Sequence, residues 1–144
     1  MLLDATVTAG ASYSYRVLAY NLVGSSDFSS TVSVTTPPPV VVPTPTVSQI
    51  APTAMTTNTG NQPLTVQGSN FQSGNIVQFK WGVGVGAGVW NTGNTPVIAS
   101  PSALTVSMNP GPVPDVINVR VCRSAAQTAT TDCSSGTHAV TVTR

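Results

Sequence analysis

The chain has 144 residues, of which only 6% are charged, and its formal net charge is +1. Neutralising phosphates requires clustered Lys and Arg, so the five scattered basic residues argue against a nucleic-acid partner. No apolar run reaches the roughly 20 residues of a membrane-spanning helix, yet 40% of the residues are hydrophobic, which is enough for a core. The opening MLLDATVTAG lacks the basic segment of a signal peptide, so the sequence predicts a cloned or truncated fragment.

Residues 13–20, YSYRVLAY, alternate so that Tyr13 and Tyr15 share one face, and residues 28–36, FSSTVSVTT, alternate again. With the turn NLVGSSD between them, the two segments predict a β-hairpin. The stretch GASYSYRVLAYNLVGSSDFSSTVSVTT resembles the last part of a fibronectin type III domain, in which Tyr13 would occupy the tyrosine-corner position. Because that family needs about seven strands, the resemblance implies that residues 1–36 are a truncated tail whose apolar row is mobile or docked elsewhere.

Residues 37–46, PPPVVVPTPT, predict an extended, semi-rigid linker, so a domain boundary is expected there. The remainder, residues 47–144, contains alternating segments separated by turn signals, and no window has a helical period. These segments lie at 64–71, 75–81, 103–110, 115–123 and 137–143. The pattern predicts an all-β protein, an immunoglobulin-like antiparallel β-sandwich preceded by a β-hairpin fragment.

This second region resembles the IPT/TIG immunoglobulin-like family over nearly its whole length. The segments that carry the resemblance are QIAP, LTVQGSNF, IVQF, LTVSMNP and the closing INVRVC and HAVTVT. The family usually has a short glycine-rich turn after the V-x-F block, whereas this chain has the longer WGVGVGAGVWNTGN, residues 81–94, and a pair of cysteines in the last hairpin. A specific function is expected at these departures from the family pattern.

The two cysteines, Cys122 and Cys133, flank a polar segment before the last predicted strand. Their spacing matches no metal motif, and the single His138 is not placed to complete one, so no metal or cofactor is predicted. A disulfide that closes a short loop is the simpler interpretation, and it implies an oxidising compartment. Two free thiols are the alternative.

Catalytic patterns are weak in this sequence. The only acidic residues are Asp4, Asp27, Asp115 and Asp132. Their positions, in the hairpin fragment or beside turns, argue against the carboxylate pair of a glycoside hydrolase. His138 lies within an alternating strand and no nucleophile elbow is present. The segment GVGVGA, residues 82–87, is not followed by the helix that a phosphate-binding motif needs, so the chain is predicted not to be an enzyme.

The two tryptophans flank the glycine-rich segment. Core packing is one interpretation of both rings, and Trp81 shares the face of Phe79. The other is a stacking platform, since the C–H faces of a sugar ring pack on an aromatic ring while amides and a Lys meet its hydroxyls. On that interpretation the pliable segment shapes a groove between two aromatic walls. The predicted carbohydrate-binding residues are Trp81, Trp90, Gln78, Lys80, Asn91 and Asn94.

A fibronectin-type tail, a Pro/Thr-rich linker and an immunoglobulin-like sandwich together resemble the accessory regions of bacterial polysaccharide-degrading enzymes. That resemblance implies a secreted, non-catalytic carbohydrate-binding module that follows an upstream catalytic domain and binds a neutral β-glucan such as cellulose. The alternative is a structural immunoglobulin-like spacer, or a protein-interaction module, of an extracellular or cell-surface protein. Exposure of the two tryptophan rings would favour sugar binding, and burial of both would favour the spacer.

Overall fold

The computed structural model describes residues 3–84, 86–126, 129–136 and 138–144. The chain divides into two compact units, and the boundary lies between Val42 and Pro43. This boundary falls inside the predicted linker 37–46. The second unit begins before the expected residue 47 because Pro45 is fully buried and a strand opens directly after it.

A short antiparallel hairpin forms the first unit, with β1 (Ser12–Tyr15) paired to β2 (Val32–Thr35). The register places Tyr13 opposite Val34 and Tyr15 opposite Val32. One face of the hairpin is therefore apolar, while the other presents Ser and Thr side chains. The phenol oxygen of Tyr13 accepts a hydrogen bond from the backbone N of Thr8 at 2.7 Å, which ties the strand to the chain just upstream.

β1 ends at Tyr15 and does not continue to residue 20 as the alternation predicts. Beyond it, Ser29 Oγ accepts a hydrogen bond from the backbone N of Val17 at 2.9 Å. In the same way Ser26 Oγ accepts one from the backbone N of Ala19 at 3.0 Å. These serine hydroxyls compete for the backbone donors of a strand ladder, so the regular pairing stops although the two segments stay side by side.

The second unit is a two-layered β-sandwich. Its strands are β3 (Thr46–Ala51), β4 (Ala54–Thr56), β5 (Gln62–Ser69), β6 (Ile76–Lys80), β7 (Trp90–Thr92), β8 (Val97–Ser100), β9 (Ala103–Met108), β10 (Asp115–Cys122) and β11 (His138–Thr143). One sheet has the order β4-β11-β10-β6-β7 and the other β3-β5-β9-β8. Neighbouring strands are antiparallel except for β4 and β11, which run parallel.

The inward-facing residues of both sheets meet in one hydrophobic core. On β10 every second side chain is fully buried, namely Ile117, Val119 and Val121, and Leu64 and Val66 do the same on β5. This period-two burial is what an amphipathic strand produces in a sandwich. The predicted all-β sandwich with an N-terminal hairpin is therefore confirmed.

The GSNF block, residues 68–71, forms a close packing point at the end of β5. A Cβ at Gly68 would overlap the Thr46 carbonyl oxygen and lie 2.8 Å from the ring of Phe71, so a larger residue would displace the β3 backbone. Asn70 adopts φ 61°, a left-handed conformation that Asn tolerates better than most residues. Its side-chain amide donates to the carbonyl of Thr44 at 3.0 Å, which joins the start of the unit to this turn.

Cys122 and Cys133 form a disulfide, as predicted. The bond joins the end of β10 to the segment before β11, with a sequence separation of 11. Next to it, Arg123 and Asp132 form an ion pair at 3.0 Å. Closing a loop of this length stabilises the fold by about 2–3 kcal/mol, chiefly by restricting the unfolded chain.

Among the residues that the structure describes, no helix is long and apolar enough to span a membrane.

Candidate functional site

Trp81 directly follows β6 and lies on the core side of its sheet. Its ring is half-buried and packs against the core, with its centroid 5.9 Å from that of Phe79 and the two planes at 58°. A tilted contact at this distance is a favourable arrangement for two aromatic rings. Trp81 is therefore anchored on one side, while the rest of its ring lines an open depression at the end of the sandwich.

This feature, the Trp81 depression, has a volume of about 540 Å³. Its lining consists of Trp81, Val83, Gly84, Asn91, Pro110, Gly111, Pro112, Val113 and Asp115. Among the described lining residues, the Val and Pro side chains make the walls mainly apolar, while Asn91 and Asp115 contribute an amide and a carboxylate. Ligand pockets typically have this character and occupy roughly 300–1,000 Å³.

Asp115, the first residue of β10, ties down the glycine-rich segment that borders the depression. Its Oδ1 and Oδ2 lie 3.0 and 3.1 Å from the backbone N of Gly82, and Oδ2 lies 3.3 Å from that of Val83. Oδ1 also accepts from the backbone N of Val116 at 2.6 Å. Gly82 permits this approach, because a Cβ there would lie 2.7 Å from Oδ1.

Asn91, on β7, supplies the second polar side chain of the depression. Its amide nitrogen donates to the carbonyl of Val89 at 3.0 Å. The side-chain oxygen Oδ1 is a hydrogen-bond acceptor, and the amide nitrogen has a second N–H, so Asn91 can offer a ligand both an acceptor and a donor.

Trp90 lies on the other side of the same sheet. It is directly opposite Lys80 in the β6–β7 register, and opposed residues of antiparallel strands project to the same face. Lys80 alternates with Phe79, so this face is the outer one. The Arg120 guanidinium carbon lies 4.3 Å from the centroid of the half-buried Trp90 ring, and Lys80 Nζ lies 5.1 Å from it. Both distances are within the range of cation–π attraction.

Gln78 fixes Arg120 over the Trp90 ring. Its Oε1 accepts hydrogen bonds from Arg120 Nε at 2.9 Å and Nη2 at 2.7 Å, and its side chain is only 5% exposed. Burial lowers the pKa of the Arg120 guanidinium from its ordinary value. Since that ordinary value is far above neutrality, the group stays charged. The Gln78 side-chain oxygen is used to bind Arg120 and is not directed at a ligand.

Asn94 lies apart from both tryptophans. Its amide nitrogen donates to the carbonyl of Ser107 at 2.8 Å, which links the chain after β7 to β9. It lines a separate depression of about 310 Å³ between the two sheets, together with residues such as Ile76 and Ile98.

The six residues predicted for carbohydrate binding therefore fall into three places. Trp81 and Asn91 share the Trp81 depression, while Trp90, Lys80 and Gln78 cluster on the outer face. Asn94 belongs to the third position. The single groove between two tryptophan walls is not formed, because the two rings project to opposite faces of one sheet.

Sequence reasoning missed the far wall of the Trp81 depression and its tether. Pro110, Pro112 and Val113 come from NPGPVPD, residues 109–115, which joins two predicted strands and was given no role. Asp115 was considered only as a candidate catalytic acid and rejected. The available signal was the density of Pro in a short connection, since ring-constrained residues make a rigid apolar wall.

Other arrangements for chemistry are sparse in the part of the chain described by the structure. Within those residues, no three His, Cys, Asp or Glu side chains come together to form a metal site. Asp132 pairs with Arg123, and Asp115 serves the backbone of the loop. His138 borders a small hollow of about 80 Å³ beside Lys80 and Trp90.

No protein-family model matches the chain, and no curated protein matches it at a significant level. The resemblances of residues 1–36 to fibronectin type III domains and of residues 47–144 to IPT/TIG domains therefore stay predictions.

Proposed function

We propose that the second unit is a non-catalytic carbohydrate-binding module that binds a neutral polysaccharide, such as a β-glucan, at the Trp81 depression. The observation that carries this proposal is the placement of the Trp81 ring. It is anchored against Phe79 on one side and lines an open depression with polar groups at its border.

A sugar ring suits this surface for two reasons. Its C–H faces pack on an aromatic ring and on the aliphatic walls that Val and Pro provide. Its hydroxyls donate to acceptors, and the Asn91 amide oxygen and the Asp115 carboxylate are acceptors. Because Trp81 is already fixed by the core, binding orders few additional side chains, which keeps the entropic cost low.

The wider setting proposed for this module is a secreted bacterial polysaccharide-degrading enzyme, with a catalytic domain upstream. The disulfide supports an oxidising compartment. The Pro/Thr-rich segment between the units supports a modular, multidomain protein. Polysaccharide is the proposed partner, and a nucleic-acid partner is not proposed because the basic residues do not form a cluster in the sequence.

A second candidate function, a structural spacer or protein-interaction module, is favoured by one observation. The Trp90 ring is covered by Arg120, and Arg120 is in turn held by buried Gln78. Trp90, one of the two tryptophans of the predicted platform, therefore stabilises the outer face of the sheet.

Affinity electrophoresis against soluble β-glucans, xylans and mannans tests the proposal. Trp81→Ala is expected to weaken binding about tenfold, since stacking on an aromatic ring contributes about 1–3 kcal/mol. Asn91→Ala, which leaves the core intact, is expected to weaken the same binding by a smaller factor. Trp90→Ala is the matched control and is expected to leave the affinity unchanged.

Binding should be measured well below the melting temperature of each variant, because Trp81 also packs on the core. Wild-type protein that is retarded by none of the polysaccharides would overturn the carbohydrate proposal and favour the spacer. Loss of binding in Trp90→Ala with normal binding in Trp81→Ala would move the site to the outer face.

A further inference from the structure

The charge of the Trp81 depression is carried by one residue. Among the described residues that line it, Asp115 alone has a formally charged side chain. The basic residues that the structure pairs lie elsewhere in the second unit: Lys80 and Arg120 beside Trp90 on the outer face, and Arg123 against Asp132. The depression is therefore a locally negative, mainly apolar surface.

The Asp115 carboxylate tethers the loop and at the same time lines the depression. Three backbone N–H groups approach it, those of Gly82, Val83 and Val116, with two contacts at each oxygen. These donors are uncharged, so they hold the carboxylate in place without cancelling its formal charge. Since Asp115 is half-buried and lines the depression, its negative charge acts on whatever enters.

The side-chain oxygen of Asn91 is a further acceptor at the border of the depression. Hydroxyl groups satisfy both acceptors by donating to them. A carboxylate or sulfate group on a sugar brings only acceptors, and its charge has the same sign as that of Asp115.

We propose that Asp115 is the specificity-determining residue of the Trp81 depression, which accepts uncharged, hydroxyl-rich saccharides and rejects saccharides that carry acidic groups. This inference rests on the proposed carbohydrate-binding function of the same site. The charge of Asp115 supplies the rejection, whereas its hydrogen bonds to the loop maintain the shape of the wall.

The charge of Asp115 and its structural role in the loop can be separated by comparing two ligands that share the same polysaccharide backbone. Hydroxyethyl cellulose is the neutral probe, and carboxymethyl cellulose of matched chain length is the acidic one. A change in loop geometry lowers the affinity for both ligands by the same factor, so the ratio of the two affinities stays the same. Loss of the Asp115 charge changes that ratio, because only the acidic ligand is repelled by it.

Wild-type protein is expected to bind the neutral probe about tenfold more tightly than the acidic one at low salt, as repulsion between like charges a few ångströms apart predicts. Asp115→Asn retains one side-chain acceptor and is expected to bring the ratio close to unity. Asp27→Asn, an exposed acid in the first unit with the same charge change, is expected to retain the wild-type ratio. Added salt should lower the wild-type ratio and leave that of Asp115→Asn unchanged.

Equal affinity of wild-type protein for the two probes would overturn this inference and leave the proposed function standing. An Asp115→Asn ratio equal to the wild-type ratio would overturn it as well. Failure of wild-type protein to bind either probe, or any other saccharide of the panel, would overturn the proposed function and this inference together.

Discussion

Asp115 and Gly82 are 33 residues apart in the sequence, yet the two carboxylate oxygens of Asp115 lie 3.0 and 3.1 Å from the backbone N of Gly82. The contact joins the start of β10 to the chain that leaves β6. A Cβ at residue 82 would lie 2.7 Å from Oδ1, so a larger residue here would push the carboxylate away from this contact. A strand end and a glycine that look unrelated in the sequence therefore form one wall of the Trp81 depression.

Gly82→Ala is expected to lower the free energy of unfolding by about 1–3 kcal/mol, the usual cost of overpacking, because the tether must move away from the new methyl group. In an Asp115→Ala background the same change should cost less than about 0.5 kcal/mol, since the obstructing carboxylate is absent. Urea denaturation of the four proteins of this cycle measures the coupling. Strictly additive costs would show that the two residues do not act through this contact.

Trp90→Ala is expected to destabilise the second unit by about 2 kcal/mol. The half-buried ring loses its packing and its cation–π contact with Arg120, which contributes about 0.5–2 kcal/mol by itself. Trp90→Phe retains a ring and should cost less. Thermal or urea unfolding measures both variants, and Val97→Ala, at a side chain 70% exposed, is the control with almost no expected cost. A Trp90→Ala protein as stable as wild type would contradict this role.

Residues 1–42 and 43–144 are expected to unfold independently. Deletion of residues 1–42 should leave the melting temperature of the second unit within about 3 °C of its value in the full chain, because each compact unit is expected to melt in its own two-state transition. Calorimetry measures both proteins. A much larger decrease would show that the two units form one cooperative structure.

Thr44 provides a matched variant for that deletion. Its hydroxyl accepts a hydrogen bond from Arg123 Nη2 at 2.8 Å and donates to the Thr131 carbonyl at 3.1 Å. Thr44→Val in the 43–144 fragment should therefore cost about 1–2 kcal/mol, since it leaves a partly buried donor without its acceptor. For a unit of this size that corresponds to a decrease of roughly 4–10 °C. A small effect of the deletion together with a clear effect of Thr44→Val would show that the cooperative second unit includes Thr44 but not residues 1–42.

The sequence by itself determined the β class, the five interior strands of the two sheets and the disulfide. In β6, β9, β10 and β11 the alternation of apolar and polar residues is strong, because one side chain in two enters the core. The strands β3, β4, β7 and β8 were not predicted. They are the edge strands of the two sheets, where fewer neighbouring residues enforce a strict alternation of apolar and polar side chains.

Only the tertiary structure decided where the two tryptophans project and what surrounds them. Alternation with Phe79 does place Trp81 on the core side. The side of Trp90 instead depends on its register opposite Lys80 across the intervening glycine-rich loop, and a shift of one residue would reverse it. Likewise, Pro110, Pro112 and Asp115 reach the Trp81 depression because β10 pairs with β6. Such pairings are long-range, and the free energy that selects them comes from burying the whole core rather than from any local segment.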